Sequence, residues 1–161
     1  MSSLLRTIGQ IWDSTPALCA LVASNRVFTG RIPQSELYRF PYVSIIATAG
    51  VQTHRTDKTR YSSGPLSFHI WVDDARLETG ETIAQTIVDT YADRCWALSD
   101  TAQVIDVRAS GEPVSRQTDL PAVKAWEIVV LFTVQIKRDR VTQGECCMDL
   151  TPEPEGSSSS N

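Results

Sequence analysis

Phe40-Pro41-Tyr42-Val43-Ser44-Ile45-Ile46-Ala47-Thr48 and Leu66-Ser67-Phe68-His69-Ile70-Trp71-Val72-Asp73 are the two stretches whose reading decides the fold. Both are rich in β-branched and aromatic residues and bounded by Pro and Gly, the composition of strands. In the second, Leu66, Phe68, Ile70 and Val72 fall on one face and Ser67, His69, Trp71 and Asp73 on the other. No helical pattern lies between the two runs, so they are expected to pair as an antiparallel hairpin. The connection, residues 49–65, is polar and far longer than a tight turn requires. Loops of that length inside a domain are usually functional or disordered, which makes this connection the expected working part.

The centre of that connection is Thr53-His54-Arg55-Thr56-Asp57-Lys58-Thr59-Arg60-Tyr61. Three basic residues face one acid there, with no apolar side chain before Tyr61. Such a stretch reads either as a solvated loop or as a flexible arm that docks on an acidic partner through His54, Arg55, Lys58, Arg60 and Tyr61.

Around this pair of strands the chain reads as follows. Leu4, Leu5, Ile8, Ile11 and Trp12 recur at helical spacing, predicting an amphipathic helix over residues 3–13 with Trp12 in the core. Thr15-Pro16 restarts a helix, with Leu18, Leu21 and Val22 as its apolar side. Arg26-Val27-Phe28 predicts a short strand. The main helix is expected over residues 78–97, with an apolar stripe of Ile83, Ala84, Ile87, Val88, Tyr91, Ala92 and Cys95. Residues 104–109 alternate as a further strand, and residues 114–121 read as a second exposed connection. A last strand covers about residues 122–137, with Trp126, Ile128, Val130, Phe132, Val134 and Ile136 on one face. That exceeds the usual strand length, and Val129 and Leu131 on its other face need cover from a helix or another subunit. With Trp71 they form a candidate inter-subunit surface.

The sum is an α+β fold: an antiparallel sheet of about four strands, two helices packed on one face, and a long β-hairpin loop. Residues 1–140 are expected to form a single domain. From Val141 the composition shifts to a polar, acidic and Ser-rich tail, residues 141–161, which alone would not fold.

The composition narrows the function. At 161 residues and 42% hydrophobic content the chain is one domain's worth. It lacks a bilayer-length apolar run and a signal-peptide pattern, which makes the cytoplasm the expected site of synthesis, with no membrane partner. A net charge of −4 argues against a dedicated nucleic-acid binder. Cys19, Cys95, Cys146 and Cys147 form no C-x-x-C pair, and with two histidines they do not suggest zinc. Cys19 and Cys95 fit apolar helix faces.

Phosphate loops, nucleophile elbows, H-E-x-x-H and dinucleotide fingerprints are absent. Ser67, His69 and Asp73 share a strand face, but alternate strand residues lie about 6–7 Å apart, too far for a nucleophile–base–acid relay. The expectation is a protein that is not an enzyme and takes no cofactor. A small cytosolic enzyme or ligand-binding domain is the reading from another class, and it needs a polar-lined pocket.

The order of elements and several local phrases resemble the tail-terminator (tail-completion) proteins of long-tailed bacteriophages. The matching pieces are the leading helix with Asn25-Arg26-Val27-Phe28, then Phe40-Pro41-Tyr42-Val43-Ser44-Ile45, and the long polar loop. They continue with the strand ending Trp71-Val72-Asp73, the helix around Thr82-Ile83-Ala84, and the closing strand from Ala125 to Lys137. The resemblance covers roughly residues 3–138. It implies a homo-oligomeric ring, usually of six, in the neck of a virion assembled in the host cytoplasm. Such a ring stops polymerisation of the tail tube protein and meets the head–tail connector or stopper protein. DNA would pass its lumen without specific binding, which fits a modestly acidic chain. Another head–tail connector or a tail tube protein is the alternative within the same machine.

Overall fold

A computed structural model describes residues 2–139, except Arg31, Ala49, Asp57, Asp100, Pro121 and Ala122. The polar tail with Cys146 and Cys147 lies outside the described residues. The order is α1 (Ser2–Asp13), α2 (Pro16–Leu21), β1 (Val27–Thr29), β2 (Tyr42–Ala47), β3 (Val51–Arg55), β4 (Thr59–Asp73), α3 (Leu77–Tyr91), β5 (Trp96–Ser99), β6 (Ala102–Ala109), β7 (Val114–Asp119) and β8 (Lys124–Asp139). All eight strands join one sheet with the path β1-β2-β4-β8-β6-β5; β3 adds to β4 and β7 to β8.

The spine is the antiparallel pair β4–β8, in unbroken register from Thr59↔Asp139 to Asp73↔Ala125. Each spine strand is flanked by two shorter strands placed end to end. Beside β4 these are β2, opposite residues 66–71, and β3, opposite residues 60–63. Beside β8 they are β6, opposite residues 132–138, and β7, opposite residues 124–129. The expected hairpin of residues 42–47 with residues 66–71 is present, from Tyr42↔Trp71 to Ala47↔Leu66.

One face of the spine is the core. Leu66, Phe68, Ile70 and Val72 of β4 and Ile128, Val130, Phe132 and Val134 of β8 are all buried, under a layer that includes the three helices. Alternation explains this: period 2 puts all eight on one side. The α3 stripe of Ile83, Ala84, Ile87 and Tyr91 closes over them. Tyr91 donates from its hydroxyl to the Ile8 carbonyl at 2.9 Å, tying α3 to α1. Trp12 is a core aromatic, as expected, and its indole N–H donates to the Val22 carbonyl at 3.1 Å. No helix among the described residues is long and apolar enough to cross a membrane.

The sheet has eight strands where about four were expected, and three readings change. Residues 49–65 were expected to be a loop, but residues 51–55 form β3 and residues 59–65 the first half of β4. All five residues of β3 are exposed, so it lacks the apolar alternation that marks a half-buried strand, and ladder hydrogen bonds to β4 define it instead. Residues 114–119 are likewise strand β7, mostly exposed and held by pairing with β8. The main helix stops at Tyr91, because Ala92 is extended and Asp93 takes a positive φ of 55°. Trp96 therefore starts β5, and Cys95 is exposed rather than on an apolar helix face. Cys19 is half-buried and its thiol contacts the Trp12 carbonyl at 3.2 Å.

Two glycines set where β3 branches from the sheet. A Cβ on Gly64 would lie 2.7 Å from the Gly50 Cα and 3.2 Å from the Thr48 carbonyl oxygen. Those neighbours are backbone and cannot swing aside. Gly64→Ala should therefore lower the unfolding free energy by about 1–3 kcal/mol, the usual range for overpacking. Denaturant titration checks this; an unchanged midpoint would mean that the crossing yields freely.

Candidate functional site

Two surfaces lie outside the core. The first is the arm made by β3, the start of β4 and the end of β8. Its turn is closed by the Thr56 amide donating to the Thr59 carbonyl at 2.8 Å, and by the Thr59 amide donating to the Thr56 hydroxyl at 3.0 Å. Arg55 pairs in register with Arg60, and Arg60 with Arg138. Directly opposed residues of a sheet project to the same face, so three arginines form one row across three strands. All three are exposed, and none makes an ion pair among the described residues. His54, Tyr61 and Lys137 form the next row, on the opposite face, with the His54 and Tyr61 rings 6.0 Å apart. Lys58 is exposed beside the turn.

The sequence-predicted residues of this stretch are thus together in space but divided between two faces. Arg138 was missed because its partner in the row is Arg60, far away in the chain. Only a register argument along β4–β8 would have found it.

The second surface is the face of the sheet opposite the core. Ile46, Ser67 and Leu131 form one row across β2, β4 and β8, and Ile46 and Leu131 remain 46% and 45% exposed. His69, Val129 and Val114 form the next, with Val114 61% exposed. Trp71 is half-buried because it stacks on Tyr42 at 6.0 Å, which also stacks on Phe40 and meets Phe28 edge-on. Val129, Leu131 and Trp71 therefore share one face as expected. Ile46 and Val114 extend the patch and were not singled out from the sequence.

A polar cluster interrupts this face. Glu127, 2% exposed, meets His69 Nδ1 at 2.7 Å through Oε1 and Arg116 through Oε2. His69 Nε2 lies 3.1 Å from the Ser67 hydroxyl. The expectation that Ser67 and His69 are too far apart for contact is therefore wrong: side chains bend toward each other across the strand spacing. The acid beside them is Glu127 of the neighbouring strand, not Asp73.

The order Ser–His–Glu is that of a hydrolytic relay, but its surroundings differ. Residues 66–71 of β4 are paired on both sides, with β2 and with β8, so their amides are committed to ladders rather than free to hold an oxyanion. Arg116 also neutralises the carboxylate. The arrangement satisfies a buried charge, as buried carboxylates require.

Nearby, Arg26, Arg39, Arg76 and Asp73 border an open recess with Tyr38 and Phe40. Arg26 Nε and Nη2 and Asp73 Oδ1 are buried without protein partners, groups left for water or a partner to satisfy. Among the described residues no cluster of three or more His, Cys, Asp or Glu side chains could hold a metal.

No family model and no curated protein matches the chain. Among solved structures, it is similar to a chain in the virion of a native gene transfer agent particle, with a TM-score of 0.65 and 17% identity. The match covers 80% of this chain and 90% of that one. At that identity the likeness establishes the fold.

The aromatic cluster gives the site a pH signature. Burial, and secondarily the charge of Glu127, push the Tyr42 phenol up to about 12 from 10.0. Burial also raises that of Tyr91. The unfolded chain loses these protons near pH 10 while the folded chain keeps them, so rising pH favours unfolding. Stability should fall from pH 10 to about 12, and Tyr42→Phe should reduce the slope there. An identical slope in wild type and variant would show that Tyr42 ionises as freely folded as unfolded.

Proposed function

We propose that the chain is a structural protein of a phage-like virion that assembles as a ring on the end of a tail tube and stops its growth. The observation that carries the virion role is the fold likeness, which extends over most of both chains. The terminator role within it is supported by the two surfaces and by the resemblance in the order of elements. The protein acts by contact, with no turnover and no cofactor of its own.

In this reading the sheet face and the arm have separate tasks. Ile46, Leu131, Val129 and Val114 lie against the next copy around the ring, with Trp71 at the border. Ile46 and Leu131 are about half exposed, so covering each adds roughly 1 kcal/mol, half the value for a full aliphatic side chain. A closed ring repeats that gain at every interface. The Glu127 cluster sits within the same face, which makes the contact directional as well as apolar. The arm reaches away from the core and offers His54, Arg55, Lys58, Arg60 and Tyr61 to an acidic tube surface. Each charge-assisted hydrogen bond made there adds about 1.5–3 kcal/mol. The opposite side of the ring meets the connector or stopper protein, and DNA slides through the lumen.

The experiment is a variant with Arg55, Lys58 and Arg60 changed to Ser, assayed in assembling particles. These residues are exposed, so melting should shift little, whereas tails should become overlong. Tails of normal length that fail to join heads would point instead to a connector. Normal, joined tails would remove the arm from assembly.

A further inference from the structure

The arginine row borders a cleft whose chemistry matches a segment of this same chain. Arg60 and Arg138 stand on the core face of the spine, just beyond the end of the apolar rows. Between them and α1 lies a cleft of about 240 Å³. Its polar wall includes Arg60, Arg138 and Ser62, and its apolar wall includes Leu4, Val134 and Ile136. Like charges placed directly opposite destabilise a sheet, and the three arginines have no acidic partner among the described residues. The site therefore favours an occupant that is both acidic and apolar.

The charge distribution along the sequence supplies one. The chain carries 15 bases and 19 acids. Glu145, Asp149, Glu153 and Glu155 are the acids of residues 141–161, a segment without Lys or Arg. Residues 1–140 are thus balanced, and the whole net charge of −4 falls after the last strand. The stretch Glu145-Cys146-Cys147-Met148-Asp149-Leu150 combines two acids, four positions apart, with four apolar side chains. β8 ends at Asp139, one residue past Arg138, so the chain leaves the sheet at the edge of the cleft. Five residues, 140–144, separate the end of β8 from Glu145, and an extended chain spans about 3.4 Å per residue. Residues 145–150 are within reach of the cleft they would fill.

We infer that residues 145–150 dock in cis over the cleft beside Arg60 and Arg138, with Glu145 and Asp149 on the arginines and Met148 or Leu150 against the half-buried Ile136. The inference does not depend on the virion reading.

The test is hydrogen–deuterium exchange of the isolated full-length protein, followed by mass spectrometry. Corrected for intrinsic rates, the amides of residues 145–150 should exchange at least about ten-fold more slowly than those of residues 156–161. Arg60→Ser with Arg138→Ser, or 1 M salt, should abolish the difference, whereas Arg108→Ser should not. Glu145→Gln with Asp149→Asn changes only the tail and should abolish it too, which keeps the test valid if the arginine variant misfolds. Equal, fast exchange of both segments in the wild type would overturn the inference. So would protection that survives the Glu145/Asp149 variant, or protection lost on dilution, which would place the tail on another copy.

Discussion

The pairing of β4 with β8 is the interaction on which the rest of the molecule depends. It joins fifteen consecutive positions of β4 to β8 without a bulge, and every other strand except β1 and β5 attaches directly to one of these two. Because the register is unbroken, one alternation serves the whole length. Where helices cover the sheet, the even-numbered residues are Leu66, Phe68, Ile70 and Val72 facing Phe132, Val130, Ile128 and Trp126. Where the helix layer ends, the same alternation delivers Arg60 and Arg138. The cationic row is thus an extension of the core face beyond the core.

That continuity links the two candidate surfaces mechanically. The spine strands are paired on both sides through the middle of the sheet and buried on their core face, and core strands of this kind open only with the fold as a whole. Contacts at the arm and contacts around Leu131 act on the same two strands. Glu127 also ties these strands together, since its charge holds His69 of β4 and Arg116 of β7 around β8. A protein that positions a partner at one end while its sheet face meets another copy needs such a connection more than it needs a pocket.

The sequence made the spine legible and the arm illegible for one physical reason. Alternation is visible where one face is buried, so residues 66–73 and 126–136 read as strands and their core faces were identified correctly. β3 and β7 are exposed almost throughout, and their strand conformation comes from ladder bonds to β4 and β8 that composition does not record. The helix boundary at Tyr91 was missed because Ala92, Cys95 and Trp96 continue the apolar pattern while the backbone turns away at Asp93. The polar contacts were missed by distance: Glu127 reaches His69 across 58 positions of sequence. Arg55, Lys58 and Arg60 were singled out for their charge alone, and the structure adds that two of them align with Arg138.

The central claim is that this chain forms a closed ring in the neck of a virion, with its sheet face against the next copy and its arm on the tube. Electron cryomicroscopy of the assembled particle tests this most directly. The account predicts a ring of copies at the end of the tail tube, with Ile46 and Leu131 covered and the Arg55 row against acidic side chains. A particle in which the chain is absent from the neck, or sits there with that face and that row both open to solvent, would contradict it.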